Sequence, residues 1–256
     1  MAFICYMCGT QKYGRHSCFW VLLMIFIMCS AESRSQGDLP DIPDLIRVTV
    51  EHDISGVLIQ WEPSEDTDIE FYRLYRMNDE QAFELINSFS ADTLEYIHLT
   101  NALDNLTYSV TAEDSSNNES LFGQNIHRAV SLSLEFDPCA PSNMITWQPY
   151  LGWEGNISGY VIHGGTDSDS LNQLDFVSPT TLSYTHEEVV PGSYYYYYIE
   201  TLNTSGLNSL SAIDSVAAIY PEAPAYIAVD YVSVVDPNGI ELQFTADVSG
   251  PVNNFR

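Results

Sequence analysis

The sequence predicts an all-β protein, a sandwich or barrel of short strands repeated in tandem. Three observations carry that expectation. Beyond residue 40 there is almost no helical periodicity, and short alternating runs rich in Val, Ile, Tyr and Thr recur between clusters of Asp, Asn, Gly, Ser and Pro. The stretch GVLIQWEP at 56–63 returns as NMITWQP at 143–149. Five consecutive tyrosines, Tyr194 to Tyr198, make sense only as a strand. A helix would point them all round its axis, whereas a strand sends successive side chains to opposite faces. With 256 residues, 45% of them apolar, the chain has room for one large or two to three small domains.

The first 35 residues stand apart. Lys12 and Arg15 precede an apolar stretch, FWVLLMIFIM, followed by SAESRSQG. That order reads as a secretory signal peptide cut after Ser35, with an apolar run too short to span a bilayer comfortably. A lipoprotein anchor at Cys29 is the rival reading, and Met28 before it fits a lipobox poorly. Four of the five cysteines lie in this leader, so Cys139 alone remains, and an internal disulfide scaffold is excluded. A half-buried place near a strand end is expected for it.

Removing Lys12, Arg15, Arg34 and Glu32 with the leader leaves five arginines, no lysine and 34 acids, a net charge near −29. Nucleic acid and anionic membrane surfaces would be repelled, so neither is an expected partner.

Two full repeats follow, 43–131 and 132–220. In the first, IEFYRLYRM at 69–77 parallels ISGYVIHGG at 157–165 in the second, and Tyr72 matches Tyr160. LDNLTYSVTAEDSSNNES at 103–120 parallels VVPGSYYYYYIETLNTSGLNSLS at 189–211. YPEAPA at 220–225 has the composition of a linker, and GIELQFTAD at 239–247 opens a third copy over 221–256, with Phe244 in the tryptophan position. Too few strands of that copy are present to close a core, so a fragment of a longer protein is expected, with residues beyond about 226 poorly packed.

Trp61 and Trp147 on the second strand of each repeat, Tyr72 and Tyr160 on the third, and VPGSYYYYYIET with its Pro-Gly turn resemble the fibronectin type III module. That resemblance implies tandem Greek-key β-sandwiches of the immunoglobulin-like class, with the tryptophan between a three-stranded and a four-stranded sheet. It further implies that a tyrosine after the turn before strand F hydrogen-bonds back to the turn. By spacing, Val189 and Tyr195 match the family's leucine and corner tyrosine, while Leu106 and Tyr108 both compete for the corner in the first repeat. Cys139, Trp147, Tyr150 and Trp153 look like a narrower pattern found in large secreted, gliding-motility-associated proteins of Bacteroidetes.

The resemblance makes Trp61, Tyr72, Tyr108, Trp147, Tyr160, Tyr195 and Tyr197 core residues. Tyr194, Tyr196 and Tyr198 then fall on the outer face of the sheet near Val161 and His163, where the first repeat carries Thr107, Ser109 and Thr111. An outer aromatic face missing from its neighbour is a candidate contact surface for a glycan, a protein strand or an adjacent module of the same chain. The acidic stretches EPSEDTDIE, TDSDSLNQLD and DPNG invite calcium as the one possible cofactor, but Asp167 and Asp169 lack the glycine and terminal glutamate of a calcium loop. Ordinary solvated loops are the better reading.

Catalysis is not expected. His52, His98, His127, His163 and His186 show no paired-ligand spacing, and there is neither a G-x-S-x-G turn nor a glycine-rich phosphate loop. The function expected is a non-catalytic, exported modular spacer, adhesion or interaction scaffold at the cell surface. The alternative is a set of accessory modules from a larger secreted hydrolase.

Overall fold

The computed structural model describes residues 39–101, 103, 106–123, 125–220, 226–236 and 239–246. The expected leader lies outside the described residues. Among them there is no α-helix; the chain is β-strand, turn and one 3-10 turn, His52–Ile54.

The first module runs β1 (Leu45–Glu51), β2 (Gly56–Trp61), β3 (Ile69–Met77), β4 (Phe83–Ser90), β5 (Glu95–Leu99), β6 (Thr107–Asp114) and β7 (Ile126–Arg128). It forms a three-stranded sheet, β1-β2-β5, and a four-stranded sheet, β4-β3-β6-β7, all antiparallel. The chain changes sheet at β2–β3, β4–β5 and β5–β6, which is Greek-key wiring.

The second module repeats it with β8 (Leu132–Asp137), β9 (Ser142–Trp147), β10 (Ile157–Gly165), β11 (Asn172–Val177), β12 (Ser183–His186), β13 (Tyr194–Asn203), β14 (Asn208–Leu210) and β15 (Asp214–Ala217). Its sheets are β12-β9-β8 and β11-β10-β13-β14, and β15 continues the last strand by pairing with β13.

Alternation decides which side chains enter each core. Along β13, Tyr195, Tyr197, Ile199 and Thr201 are buried, and the intervening residues are half-buried or exposed. On β9 the buried set is Asn143, Ile145 and Trp147. Each core is built on an indole set edge-on to a tyrosine: Trp61 lies 6.0 Å from Tyr72 and Trp147 lies 5.6 Å from Tyr160, with ring planes near 70°. Such pairs favour tilted geometry because the ring quadrupoles oppose a face-to-face sandwich. Tyr108, Tyr195 and Tyr197 are likewise buried.

The tyrosine corner is present in the second module, where the Val190 N–H donates to Tyr195 Oη at 2.8 Å. In the first module Leu106 takes the equivalent place, because Tyr108 pairs in register with Arg76 as Tyr197 pairs with Gly164. Tyr108 and Tyr197 instead share a different bond. Their hydroxyls lie 2.9 and 2.8 Å from the Nδ1 atoms of His98 and His186. Asn143 Nδ2 donates to Tyr197 Oη at 2.7 Å, which leaves the hydroxyl proton for a neutral His186. Burial pushes the Tyr197 phenol up to about 12 and lowers His186, so neither ionises readily.

The third copy contributes an antiparallel hairpin, β16 (Ile227–Asp236) and β17 (Gly239–Ala246), with Val229 opposite Phe244. Its large apolar side chains are exposed, including Val234 and Ile240 at three-quarters. Cys139 departs from expectation. It sits in the β8–β9 turn, exposed, with its N–H on Asp137 Oδ1, because that turn projects past the end of the sheet.

Replacing Trp147 by alanine is expected to destabilise the second module by about 3–5 kcal/mol in urea denaturation, through lost burial and an unfilled cavity. A loss below about 1 kcal/mol would mean the indole is not the centre of that core.

Candidate functional site

Strand β1 lies at the edge of its sheet, so one side of it offers N–H and C=O groups with no ladder partner. In this chain the second module supplies those partners from side chains. Val48 N–H donates to Tyr150 Oη at 2.8 Å, and Ser209 Oγ donates to Val48 O at 2.7 Å. A bulge places Ile46 outside the register of β1 with β2, and its carbonyl accepts from Trp153 Nε1 at 2.9 Å.

Further along, Leu210 N–H donates to Thr49 Oγ1, Arg47 reaches the Asn208 carbonyl and Oδ1, and His52 Nε2 lies 2.8 Å from Ser211 O. A reciprocal backbone pair between Arg128 and Leu151, at 3.2 Å each way, closes the other side of this seam.

The loop after β9 is shaped for this contact. Tyr150 and Trp153 stack at 4.1 Å and are buried, although they follow the strand that holds the core. Between them Gly152 adopts φ +102°, and a Cβ there would collide with the His127 ring. His127 Nδ1 is 3.0 Å from Tyr150 Oη. That oxygen accepts from Val48, so its own proton is available to a neutral His127. Burial lowers the His127 imidazole to about 4 despite the opposing pull of Glu154, and burial raises the Tyr150 phenol.

The three outer tyrosines do not form one free patch. Tyr198 is drawn into the seam, stacked on His163 at 4.3 Å and 6° with His52 edge-on at 4.8 Å. His163 in turn bonds Glu200 at 3.2 Å. Tyr196 is half-buried on the floor of a groove of about 780 Å³ whose walls include His52, Asp53, Asp169, Leu171 and Asp214. Tyr194 lies beyond it, 57% exposed.

The corresponding face of the first module, where no aromatic surface is expected, is covered. Thr107, Ser109 and Thr111 are at most 2% exposed. The connection from β6 to β7 is longer than its counterpart and folds back over them. Glu119 accepts from Thr111 and Tyr75 and pairs with Arg73, while Phe122 packs edge-on against Tyr75 and Phe83. Arg73 also pairs with the buried Glu113. The first module thus has an outer aromatic group of its own, drawn from β3, β4 and this connection.

All five histidines among the described residues are engaged in the bonds described. Asp66 accepts from Asp41 N–H, and Asp167 Oδ1 accepts from Asp169 N–H. Among the described residues no three His, Cys, Asp or Glu side chains converge on a metal position. No helix among them is long and apolar enough to cross a membrane.

No family model matches the sequence, and no curated protein matches it. Solved structures similar to it include pectate lyase PelI from Erwinia chrysanthemi in complex with tetragalacturonic acid, at 16% identity over 34% of this chain and TM-score 0.31. The chain spans only 28% of that enzyme. The chicken CNTN1 FN1–FN3 domains align at 14% identity over 73% of this chain and 70% of theirs, TM-score 0.31. A two-domain fibronectin type III segment of chicken tenascin aligns at 16% over 70% and 98%, TM-score 0.26. At these scores the strand order and register above remain the ground for the fold. The fold is a tandem of fibronectin type III-like sandwiches.

His127 gives the seam a pH dependence of defined sign. Its lowered value means the unfolded chain takes up a proton below about pH 6.5 while the folded chain does not until about pH 4, so stability is lost as pH falls through that window. Burial lowers His98 and His186 in the same direction. The stability difference between wild type and His127→Gln is expected to move against wild type by on the order of 2–3 kcal/mol from pH 7 to pH 4 in urea titrations. A difference that stays flat would contradict the neutral, buried assignment.

Proposed function

We propose that this chain is a non-catalytic, exported scaffold in which two sandwiches act as one block at the cell surface. The observation that carries the reading is the seam, where five residues of the segment Ile46–His52 and their bonding partners hold the modules along a strand edge. A hinge of isolated linker contacts would leave the modules free to reorient, and such motion is the usual default for domains in one chain. A docked pair instead fixes the distance and direction at which loops are presented.

The strongly negative surface left once the leader is removed suits an exterior rich in salt, where self-repulsion is screened. The apolar leader supports export, and the pattern Cys139, Trp147, Tyr150, Trp153 supports a place among large secreted proteins of Bacteroidetes, with protein or glycan partners. Accessory modules of a secreted hydrolase are the second reading, favoured only by the leader and the fold. Both are interaction roles, because the fold itself hosts many.

The full chain produced with its own leader in a Gram-negative host is expected to start at Gln36 and to be cut by protease added to intact cells. Retention in the cytoplasm with residues 1–35 still attached would contradict the proposal.

A further inference from the structure

A groove lies beside the contact of His52 with Ser211 and Tyr198. Its floor is Tyr196, half-buried, with no ring neighbour among the described residues. Its rim carries three carboxylates from three separate elements: Asp53 from the turn after β1, Asp169 from the β10–β11 turn and Asp214 at the start of β15. No lysine or arginine lines it. Arg47, Arg73 and Arg76 are bonded elsewhere, to Asn208, Glu119 and Thr100.

We propose that this groove binds an arginine-bearing segment of a protein partner. Three points select that ligand. Three aspartates from separate elements with no lysine or arginine in the lining create a field that concentrates positive charge and repels anionic glycans and phosphates. The carboxylates do not converge, since no three acidic or histidine side chains among the described residues are placed to hold a metal ion, so a single divalent cation is a poor occupant. A guanidinium is planar: it stacks on a tyrosine face and offers a fork of N–H donors to a carboxylate at the same time.

With a volume of about 780 Å³ the groove accommodates several residues of an extended segment, which can place successive basic side chains against Asp53, Tyr196 and Asp214. Because Asp53 belongs to the first module and the other groups to the second, the site exists only while the seam is closed. It rests on the scaffold reading above for its surface partner, and its chemistry does not depend on export.

The test uses the full chain and a capped pentapeptide with two arginines separated by one serine. Calorimetry is expected to show binding, and NMR to show shifts centred on Tyr196, Asp169 and Asp214. Replacing both arginines by neutral citrulline is expected to weaken binding about tenfold or more, and Asp169→Asn with Asp214→Asn, or Tyr196→Leu alone, about fivefold.

Glu65→Gln with Glu135→Gln removes the same charge elsewhere on the exposed surface and is expected to leave affinity within about twofold. The Val48 amide resonance reports the seam and stays in place in each variant. Equal weakening by the Glu65 and Glu135 pair would reduce the effect to general charge and overturn the proposal. So would tighter binding of a neutral β-glucan hexasaccharide, or binding of calcium ions alone that shifts the same residues. A chain retained in the cytoplasm but still binding the peptide through these residues would separate failure of the export reading from failure of the site.

Discussion

The open edge of strand β1 is the constraint on which the arrangement depends. An edge strand leaves backbone donors and acceptors that must find water or a partner, and left bare it is a template for unwanted pairing. Here the partners are Tyr150, Trp153 and Ser209. Each such bond contributes only about 0.5–1.5 kcal/mol net, but removing one of these side chains leaves a buried backbone group unsatisfied at about 1–3 kcal/mol. That asymmetry makes the seam specific. The bonds reach particular atoms of Ile46 and Val48, so the modules dock in one register.

One proton position links this edge to acidity. Val48 N–H, Tyr150 Oη and His127 Nδ1 form a chain in which each group has one assigned role. A proton on His127 Nδ1 would turn its acceptor into a second donor toward Tyr150, and the phenol hydrogen would lose its place. The two repeats carry a related device inside their cores, His98 with Tyr108 and His186 with Tyr197. Stability toward acid therefore rests on several histidines held neutral, in a chain whose many surface carboxylates respond in other ways.

Much of each sandwich was legible in the sequence because strand packing is local and periodic. Trp61, Tyr72, Trp147 and Tyr160 recur at matched spacings, and alternation alone separates Tyr195 and Tyr197 from their neighbours. The corner of the first module was left between Leu106 and Tyr108. Register gives it to Leu106, and Tyr108 goes to His98, ten positions before it, just as Tyr197 goes to His186, eleven before. That repeated interval was visible but is meaningful only once β5 and β6 face each other.

The candidate site was less legible. Its bonds to β1 join residues 102 to 161 positions apart, and nothing in the alternation of β13 says that Tyr198 meets His52 of the other module. Tyr150 and Trp153 stood out as aromatics, without a sign that a neighbouring strand edge would claim them. The fold-back of Glu119 and Phe122 over Thr111 likewise follows from the length of one connection rather than from any pattern within it.

Amide hydrogen exchange at Val48 tests the central claim most directly. If the second module caps this edge, the Val48 amide exchanges slowly in the full chain, and Tyr150→Phe speeds it about tenfold or more while the Ile59 and Ile145 amides of the two cores keep their protection. Fast exchange at Val48 in the unaltered chain, or no response to the loss of that hydroxyl, would show that the edge is open to water and that the modules are not held as one block.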